Sequence, residues 1–560
     1  MEEKKFSRVI VVAPTRSTCL NISMVLSNGA IPQTLLMREK RKEIFEAVDC
    51  LELGGFGVVA GTGTGKTVAI RDIANRVLGE NLSVDVITRE HEATDRTWQC
   101  NTLVVTPGVA LNWFKSHILS SEDLLVFDEI HQTSEHLELT LALAKRVSCT
   151  FIWMSATIDP SLYSDYLGAA TVIECSAFDP SKRAEVECRR DNPEDFFSDE
   201  RLDDFIAGER AVAVFVPTRA MAEKLSREYG KKDGLYCCDF YHGGEKAEKL
   251  RQFLKGDVPK PFMVFMTIAG ASSLNILGLD TVVIADEMYK GVVHSGVSVL
   301  EKIRLGNNEL LQMGGRVNGR MENSRVYILT SREIDFHSLQ PMVPEFVLGG
   351  DLRRVALTCA KLGVNASDLD LISKIETTVY NTEVQRFRNR GIIEVESESL
   401  TPYGKKVERL PVDPGWAELI VNAEQVGDEM LNVVATCSCA ESLYLILRKF
   451  PKLEGLGVSG SDHLTAYNIV VSALRQFGFV QKSNGGTEYG FRGDWVKKHF
   501  DKKIGQSEKS MGEFAQWCDF MGFNSKAIKE VAIAMKSVFR QLGQSLPDPM
   551  EMQVVSNNDH

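Results

Sequence analysis

No stretch of this sequence approaches the roughly 18 consecutive apolar residues of a helical membrane span, so no such span is expected. Paired CxxC spacing is missing too. The 12 cysteines are scattered, and only Cys237–Cys238 and Cys437/Cys439 lie close together. Buried free thiols in a reducing compartment are therefore expected, rather than a zinc or disulfide framework. The start, MEEKKFSRVIVVAP, carries acids and no small-residue cleavage site, so it does not read as a signal peptide. Positive charge is in short supply: 64 Lys and Arg stand against 76 Asp and Glu, a net charge of −12. That balance does not announce a nucleic-acid binder, although a basic groove can sit on an acidic surface. What remains is an ordinary soluble composition, 44% apolar and 25% charged, in 560 residues. That length suffices for about three to five domains.

The most informative stretch is Ala60–Thr67, AGTGTGKT. The apolar run Phe56–Val59 precedes it and an amphipathic segment, Val68–Val77, follows. That is the strand–loop–helix setting of a phosphate-binding loop. Gly61, Gly63 and Gly65 lack side chains, so the backbone N–H groups from Gly61 through Thr62 and Thr64 can curl around phosphate oxygens. Lys66 should reach the β- and γ-phosphates of ATP or another NTP, and the Thr67 hydroxyl should ligate Mg²⁺. Strands are also expected at Arg8–Val12, Ser83–Thr88, Thr102–Val105, Leu124–Phe127 and Thr150–Met154, with helices after Arg16 and over Arg38–Leu53. The apolar strand Leu124–Phe127 ends in Asp128-Glu129-Ile130-His131. A carboxylate pair at the C-terminal tip of a buried strand is where an α/β sheet places its site. Asp128 can hold Mg²⁺, and Glu129 can orient and deprotonate an attacking water.

GTGTGKT, DEIH and Ser155-Ala156-Thr157, in that order, resemble motifs I, II and III of superfamily 2 helicases, and DEIH is similar to the DExH/DEAH branch. The resemblance implies an α/β fold with two tandem RecA-like P-loop NTPase lobes, a winged-helix domain and an α-helical ratchet-like domain. It adds His131 to the catalytic set and makes Thr106, in Thr106-Pro107-Gly108, a backbone contact to nucleic acid. One departure stands out. Motif Ia normally lies between motifs I and Ib, yet no Pro-Arg turn occurs between Thr67 and Thr106. VIVVAPTRSTCLNISMVL, ahead of the phosphate loop, is similar to motif Ia with its helix. Two readings stay open: a relocated motif Ia beside the P-loop strand, with Thr15 and Arg16 on phosphates, or an unrelated βα extension.

Asp191–Asp204 is acidic and reads as an exposed, linker-like segment. The strand Ala211–Val216 then ends in Pro217-Thr218-Arg219, echoing Pro14-Thr15-Arg16 and placing Thr218 and Arg219 at motif IV. Tyr241-His242-Gly243-Gly244 sits where the family has a His-Gly turn. TIAGASSLNI resembles motif V, which makes Thr267 a phosphate-backbone contact and Ser273 part of the nucleotide side. Ile268, Ala271 and Leu277 depart from that pattern. A hairpin is expected over Met288–Arg304. QMGGRVNGR, from Gln312 to Arg320, resembles motif VI. It implies Arg316 as the primary arginine finger and Arg320, displaced by one residue, as the second if a bulge restores its aim. LTPYGKKVERLPVDP resembles the DEAH/RHA winged helix. Ser461–Thr465, Trp517-Cys518 and Asn524–Leu542 resemble its helical domain.

The implied division is 1–180 and 181–340 for the lobes, 341–415 for the winged helix and 416–560 for the helical domain, with a polar tail. The family's following OB-fold is not visible, so the chain either lacks it or is a segment of something larger. The expected activity is ATP-dependent translocation 3′→5′ on single-stranded RNA or RNA with a 3′ overhang, with duplex unwinding. The alternatives are a nucleic-acid-dependent clamp that remodels RNA–protein complexes and a DNA helicase. A protein activator or loading factor fits either. An intracellular setting, cytoplasmic or nuclear, is expected, and the compact first lobe is similar to virus-encoded RNA helicases.

Overall fold

The computed structural model describes residues 6–556 apart from 28–33, 52–54, 62, 80, 89–90, 157, 170, 177, 243–250, 274–275, 295–296, 441, 449, 484–485, 494 and 502–505. Thr62, Thr157, Gly243 and Gly244 therefore lie outside the described residues, as does the side chain of Ser273. The chain divides into two compact units: Met1–Val355 with Ala366–Tyr380, and Ala356–Asn365 with Asn381–His560.

The first unit opens with β1 (Arg8–Val12), α1 (Arg16–Ser27), α2 (Leu35–Asp49), β2 (Phe56–Ala60) and α3 (Lys66–Leu78). There follow β3 (Val84–Ile87), β4 (Thr102–Val105), α4 (Pro107–Lys115), β5 (Asp123–Phe127), α5 (Glu135–Arg146), β6 (Thr150–Ser155), α6 (Ser161–Leu167) and β7 (Thr171–Cys175). The seven strands form one sheet in the order β3-β4-β1-β5-β6-β2-β7. Every pairing is parallel. A parallel sheet is covered by helices on both faces, so its strands read as unbroken β-branched runs. Val9, Ile10, Val11 and Val12 are all buried, as RVIVV suggests.

The N-terminal strand thus belongs to the phosphate-loop sheet. Its expected neighbour is corrected. β1 lies between β4 and β5, and β5 and β6 separate it from the phosphate-loop strand β2. Chemistry at its start fixes this register. Arg8 donates to both carboxylate oxygens of fully buried Asp123, at 2.8 and 3.0 Å, and to the Ile118 carbonyl at 2.8 Å. Such a two-pronged pair specifies geometry as well as adding energy. At the other end, Asp128 N–H donates to the Val12 carbonyl at 3.0 Å.

The second lobe holds β8 (Glu185–Arg189), α7 (Pro193–Phe196), α8 (Asp199–Ala207), β9 (Ala211–Phe215), α9 (Arg219–Tyr229), β10 (Cys237–Tyr241), α10 (Arg251–Lys255) and β11 (Phe262–Met266). It continues with α11 (Ala269–Ser273), β12 (Thr281–Ala285), β13 (Met288–His294), β14 (Val297–Ile303), α12 (Asn307–Gly314) and β15 (Arg325–Leu329). Six strands form a second parallel sheet, β10-β11-β9-β12-β15-β8, and β13 pairs with β14 as the expected hairpin. The linker reading of Asp191–Asp204 is wrong. Acids face outward there, but Phe196, Phe197, Leu202 and Phe205 are buried against Val212, Val214 and Phe265. Beyond β15 the chain returns to the first lobe. Thr133 donates to the Glu345 carbonyl at 2.6 Å, and buried Glu138 accepts from Val347 N–H at 2.8 Å and Leu348 N–H at 3.3 Å.

The LTPYG and PVDP signals are helix starts. Thr401 accepts from Gly404 N–H at 2.9 Å with Pro402 in the first turn of α-helix Pro402–Arg409. Asp413 accepts from Gly415 N–H at 2.8 Å ahead of helix Pro414–Val426. A side-chain acceptor at the cap followed by proline is a preferred helix opening. Further helices of the second unit span Asp428–Cys439, Asp462–Phe477, Glu513–Met521 and Ser525–Leu542. Two hairpins, Gly478–Ser483 with Gly486–Phe491 and Trp495–Asp501 with Gln506–Met511, interrupt the helical domain and were not read from the sequence. No described helix is long and apolar enough to cross a membrane.

Ile10→Ala should destabilise the first lobe by about 2–5 kcal/mol, the usual cost of emptying a buried aliphatic site. Urea unfolding followed by the fluorescence of buried Trp153 measures it, and a change under about 0.5 kcal/mol would contradict a central β1. Burial raises the Glu138 carboxyl from 4.5 to about 7, against the opposing pull of the Val347 and Leu348 N–H groups. The folded protein therefore holds that proton more tightly than the unfolded chain, and stability falls as pH rises from 4.5 to 7. Glu138→Gln, which cannot ionise, should flatten that part of the melting-temperature profile; an unchanged slope would exclude Glu138 as its source.

Candidate functional site

All the expected site residues of the first lobe stand at the C-terminal ends of parallel strands, the edge where α/β sheets bind ligands. The phosphate loop leaves β2 and enters α3. Gly63 and Gly65 have φ of 75° and 100°, values that only glycine adopts freely. Gly65 has a second reason: a Cβ there would lie 2.3 Å from the Thr34 side chain. Thr34 itself caps α2, and Leu36 N–H donates to the Thr64 carbonyl at 3.0 Å. The helix before the loop thus braces it, a role the sequence reading did not assign to Thr34. Within the loop, Thr64 Oγ1 donates to the Gly61 carbonyl at 2.8 Å.

Lys66 is buried and donates to the Ala60 carbonyl at 2.9 Å, with Glu129 Oε1 3.8 Å away. Asp128 and Glu129 are buried side by side. Burial, and next the Glu129 charge, raises the Asp128 carboxyl from 3.8 to about 7, with Lys66 pulling it back down. Asp128 Oδ1 and Glu129 Oε2 have no hydrogen-bond partner among the described residues. Glu129 has a left-handed φ of 52°, a strained setting that a non-glycine residue holds at a site. His131 Nδ1 lies 3.0 Å from Ser155 Oγ and 3.4 Å from Glu129 Oε2. The serine is its hydrogen-bond partner, so the DEIH turn is tied to the SAT turn through this ring. Burial lowers the His131 pKa, against the opposing pull of the Glu129 charge. Asp128 with its orphaned oxygen, and Thr67 in the first turn of α3, fit Mg²⁺: hard oxygen donors, one of them a buried carboxylate short of positive charge.

From the second lobe, buried Arg316 donates to the Gly270 and Ala271 carbonyls at 2.7 and 2.5 Å. Burial, then Arg320, lowers its pKa to about 10, while the Glu129 charge raises it. Arg316 therefore feels the catalytic carboxylate across the cleft. Arg320 is also lowered to about 10 by burial. In the turn after α12, Gly319 has a φ of 74°, and Arg320 lines a cavity together with Gly61. Gln312 lines a larger cleft with Thr15 and His131, and its Nε2 has no partner among the described residues.

The expected nucleic-acid residues stand at four strand tips. Thr15 follows β1; its hydroxyl accepts from Thr18 N–H at 3.2 Å, and Arg16 opens α1. Thr106 precedes α4 without a side-chain capping bond. Thr218 caps α9, accepting from Met221 N–H at 3.1 Å, and Arg219 is exposed. Thr267 is buried after β11. Ser273 ends α11.

A model of the DEAD/DEAH box helicase family matches residues 71–164. ATP-dependent RNA helicase DHX33 of Homo sapiens is 23% identical over 497 residues, covering 79% of this chain and 66% of its own length. ATP-dependent RNA helicase HrpA of Escherichia coli strain K12 is 24% identical, with 71% of this chain and 34% of that protein covered. The crystal structure of E. coli DExH-box NTPase HrpB superposes with a TM-score of 0.55 at 18% identity, over 82% of this chain and 64% of that one. The chain thus spans at most about two thirds of the length of these relatives. With the phosphate loop and DEIH turn on one sheet and the QMGGR turn on a second, the chain is similar to the DExH/DEAH-box branch of the superfamily 2 helicases, and residues 71–164 match its DEAD/DEAH box model.

Proposed function

We propose that this protein is an NTP-driven RNA translocase that hydrolyses ATP and moves 3′→5′ along one strand, unwinding duplex in its path. The observation that carries the reading is the buried Asp128–Glu129 pair, 3.8 Å from Lys66, with Arg316 of the other lobe within its field. Backbone N–H groups of Gly61–Thr67 and the Lys66 ammonium cradle the β- and γ-phosphates. Thr67 and Asp128 would hold Mg²⁺, which would supply positive charge to those phosphates. Glu129 takes a proton from water as its oxygen bonds the γ-phosphorus. The bond to the β–γ bridging oxygen breaks, and ADP and phosphate are the products. Arg316 and Arg320 reach that phosphate only when the lobes close, so hydrolysis and lobe movement are one event. His131 carries the change to Ser155.

Nucleic acid lies along the strand tips that bear Thr15, Arg16, Thr106, Thr218, Arg219 and Thr267. Contacts of this kind go to phosphates and read no sequence. The names of the relatives favour RNA over DNA.

ATP turnover should rise with single-stranded RNA and vanish in Lys66→Ala and Glu129→Gln, and Arg316→Ala should lose about 10³-fold or more. Turnover indifferent to RNA and DNA would sink the translocase reading. Asp128→Asn and Thr67→Ala should each abolish the part of the nucleotide-induced rise in melting temperature that requires Mg²⁺, measured with and without chelator. If Asp128→Asn keeps the full Mg²⁺-dependent rise, the metal is held elsewhere.

A further inference from the structure

The DEIH turn is tied down at its backbone, and part of the tie comes from a segment beyond β15. Ile130, in the middle of the turn, is fully buried. Its N–H donates to the Met154 carbonyl of β6 at 3.0 Å, and its carbonyl accepts from the Tyr163 hydroxyl at 2.9 Å. The first bond holds the peptide unit that follows Glu129, the second the unit that precedes His131. A peptide unit is flat, so fixing one of its atoms in direction orients the whole of it. Gln132 N–H closes the turn on the Glu129 carbonyl at 2.9 Å. Glu129 keeps its left-handed φ of 52° only while surroundings of this kind over-determine it.

Tyr163 lies on α6 and has no exposed surface. Its ring meets Trp153 and Phe346, each with centroids 5.9 Å apart, tilted against the first and edge-on to the second. A phenyl ring would fill the same space. The buried hydroxyl therefore matters through its bond to the Ile130 carbonyl, without which its burial would be costly. Phe346 belongs to the strap 344–348, which returns to the first lobe after β15, and the strap is anchored on both sides of that ring. The Glu345 carbonyl accepts from Thr133, two residues past His131, at 2.6 Å. The N–H groups of Val347 and Leu348 donate to buried Glu138 at 2.8 and 3.3 Å. The Glu345 carboxylate also pairs with Lys290 of β13, but that carboxylate is mostly exposed. An exposed ion pair adds little, so the buried bonds carry the strap.

We propose that Tyr163 is a positioning residue for Glu129, and that Phe346 of the strap sets the place of the tyrosine. The assignment rests on Glu129 being the base in the NTP-hydrolysis reading above. The strap follows the second lobe in the chain, so a first-lobe carboxylate takes its aim from a segment that lies more than 200 residues further on, at Phe346.

Steady-state ATP hydrolysis by the full chain with saturating single-stranded RNA tests this, beside hydrogen exchange at the Ile130 and Gln132 amides. Tyr163→Phe keeps the ring and removes only the oxygen. It should lower kcat about 5–10-fold, the worth of one buried hydrogen bond expressed in the barrier, and leave KM for ATP within about 2-fold. Exchange at both amides should quicken by about the same factor. Phe346→Ala should reproduce both effects, and Phe346→Leu, which keeps apolar bulk against the tyrosine, should restore wild-type values. An unchanged kcat and unchanged exchange in Tyr163→Phe would overturn the assignment whatever the melting temperature, because the hydroxyl would then serve stability alone. A rise in KM equal to the fall in kcat would overturn it too, by placing the effect in nucleotide binding. A wild-type chain that hydrolyses no NTP would instead overturn the NTP-hydrolysis reading, and the exchange comparison would still decide whether Tyr163 and Phe346 hold the turn.

Discussion

Two carboxylates are buried side by side at the tip of one strand, and a single lysine stands against them. Water would normally hold those charges apart, and burial removes it, which is why Asp128 binds its proton far more tightly than a free aspartate. The site is thus built with a deficit of positive charge. Everything around it can be read as a supply of cations under control: Lys66 from the loop, a metal at the orphaned Asp128 oxygen, and two arginines on the opposite lobe. Of the two, Arg316 is buried and donates to the Gly270 and Ala271 carbonyls.

The second lobe shows what the same position looks like when the deficit is filled internally. β12 also ends in an acid pair, Asp286-Glu287. Asp286 is fully buried, but Arg332 meets both its oxygens at 2.7 Å, Thr330 donates at 2.6 Å and Leu305 N–H at 3.3 Å. That carboxylate is spent on the fold. The contrast explains why similar strand-tip dipeptides have different fates: the chemistry depends less on the acid than on whether an arginine has already answered it.

Much of this was legible in the sequence. The phosphate loop, the DEIH and SAT turns and the QMGGR turn carry small residues and charges at fixed offsets after apolar runs, and local chemistry of that kind survives into the fold. What failed was non-local. RVIVVAP could be read as a strand, but its neighbours depend on the Arg8–Asp123 pair, and sequence spacing does not reveal such a partnership. Asp191–Asp204 misled because its acids outnumber its aromatics, while buried Phe196, Phe197 and Leu202, with Phe205 just beyond, decide the packing. Arg320 looked displaced by one residue, and the left-handed turn at Gly319 beside it shows only in the fold.

The central placement of β1 also has a consequence for synthesis. Arg8 and its partner Asp123 are 115 residues apart. At roughly 5–20 residues per second, the strand leaves the ribosome about 6–23 s before the strand that will pair with it. Until β4 emerges both edges of this apolar, β-branched segment are unpaired, and until β5 emerges one of them still is, the kind of segment prone to join other chains. A strand that precedes the phosphate loop in the chain still takes a central, ordered place in the finished sheet. The burden falls on the growing polypeptide, which must keep its first strand solvated or chaperoned until the middle of the sheet arrives.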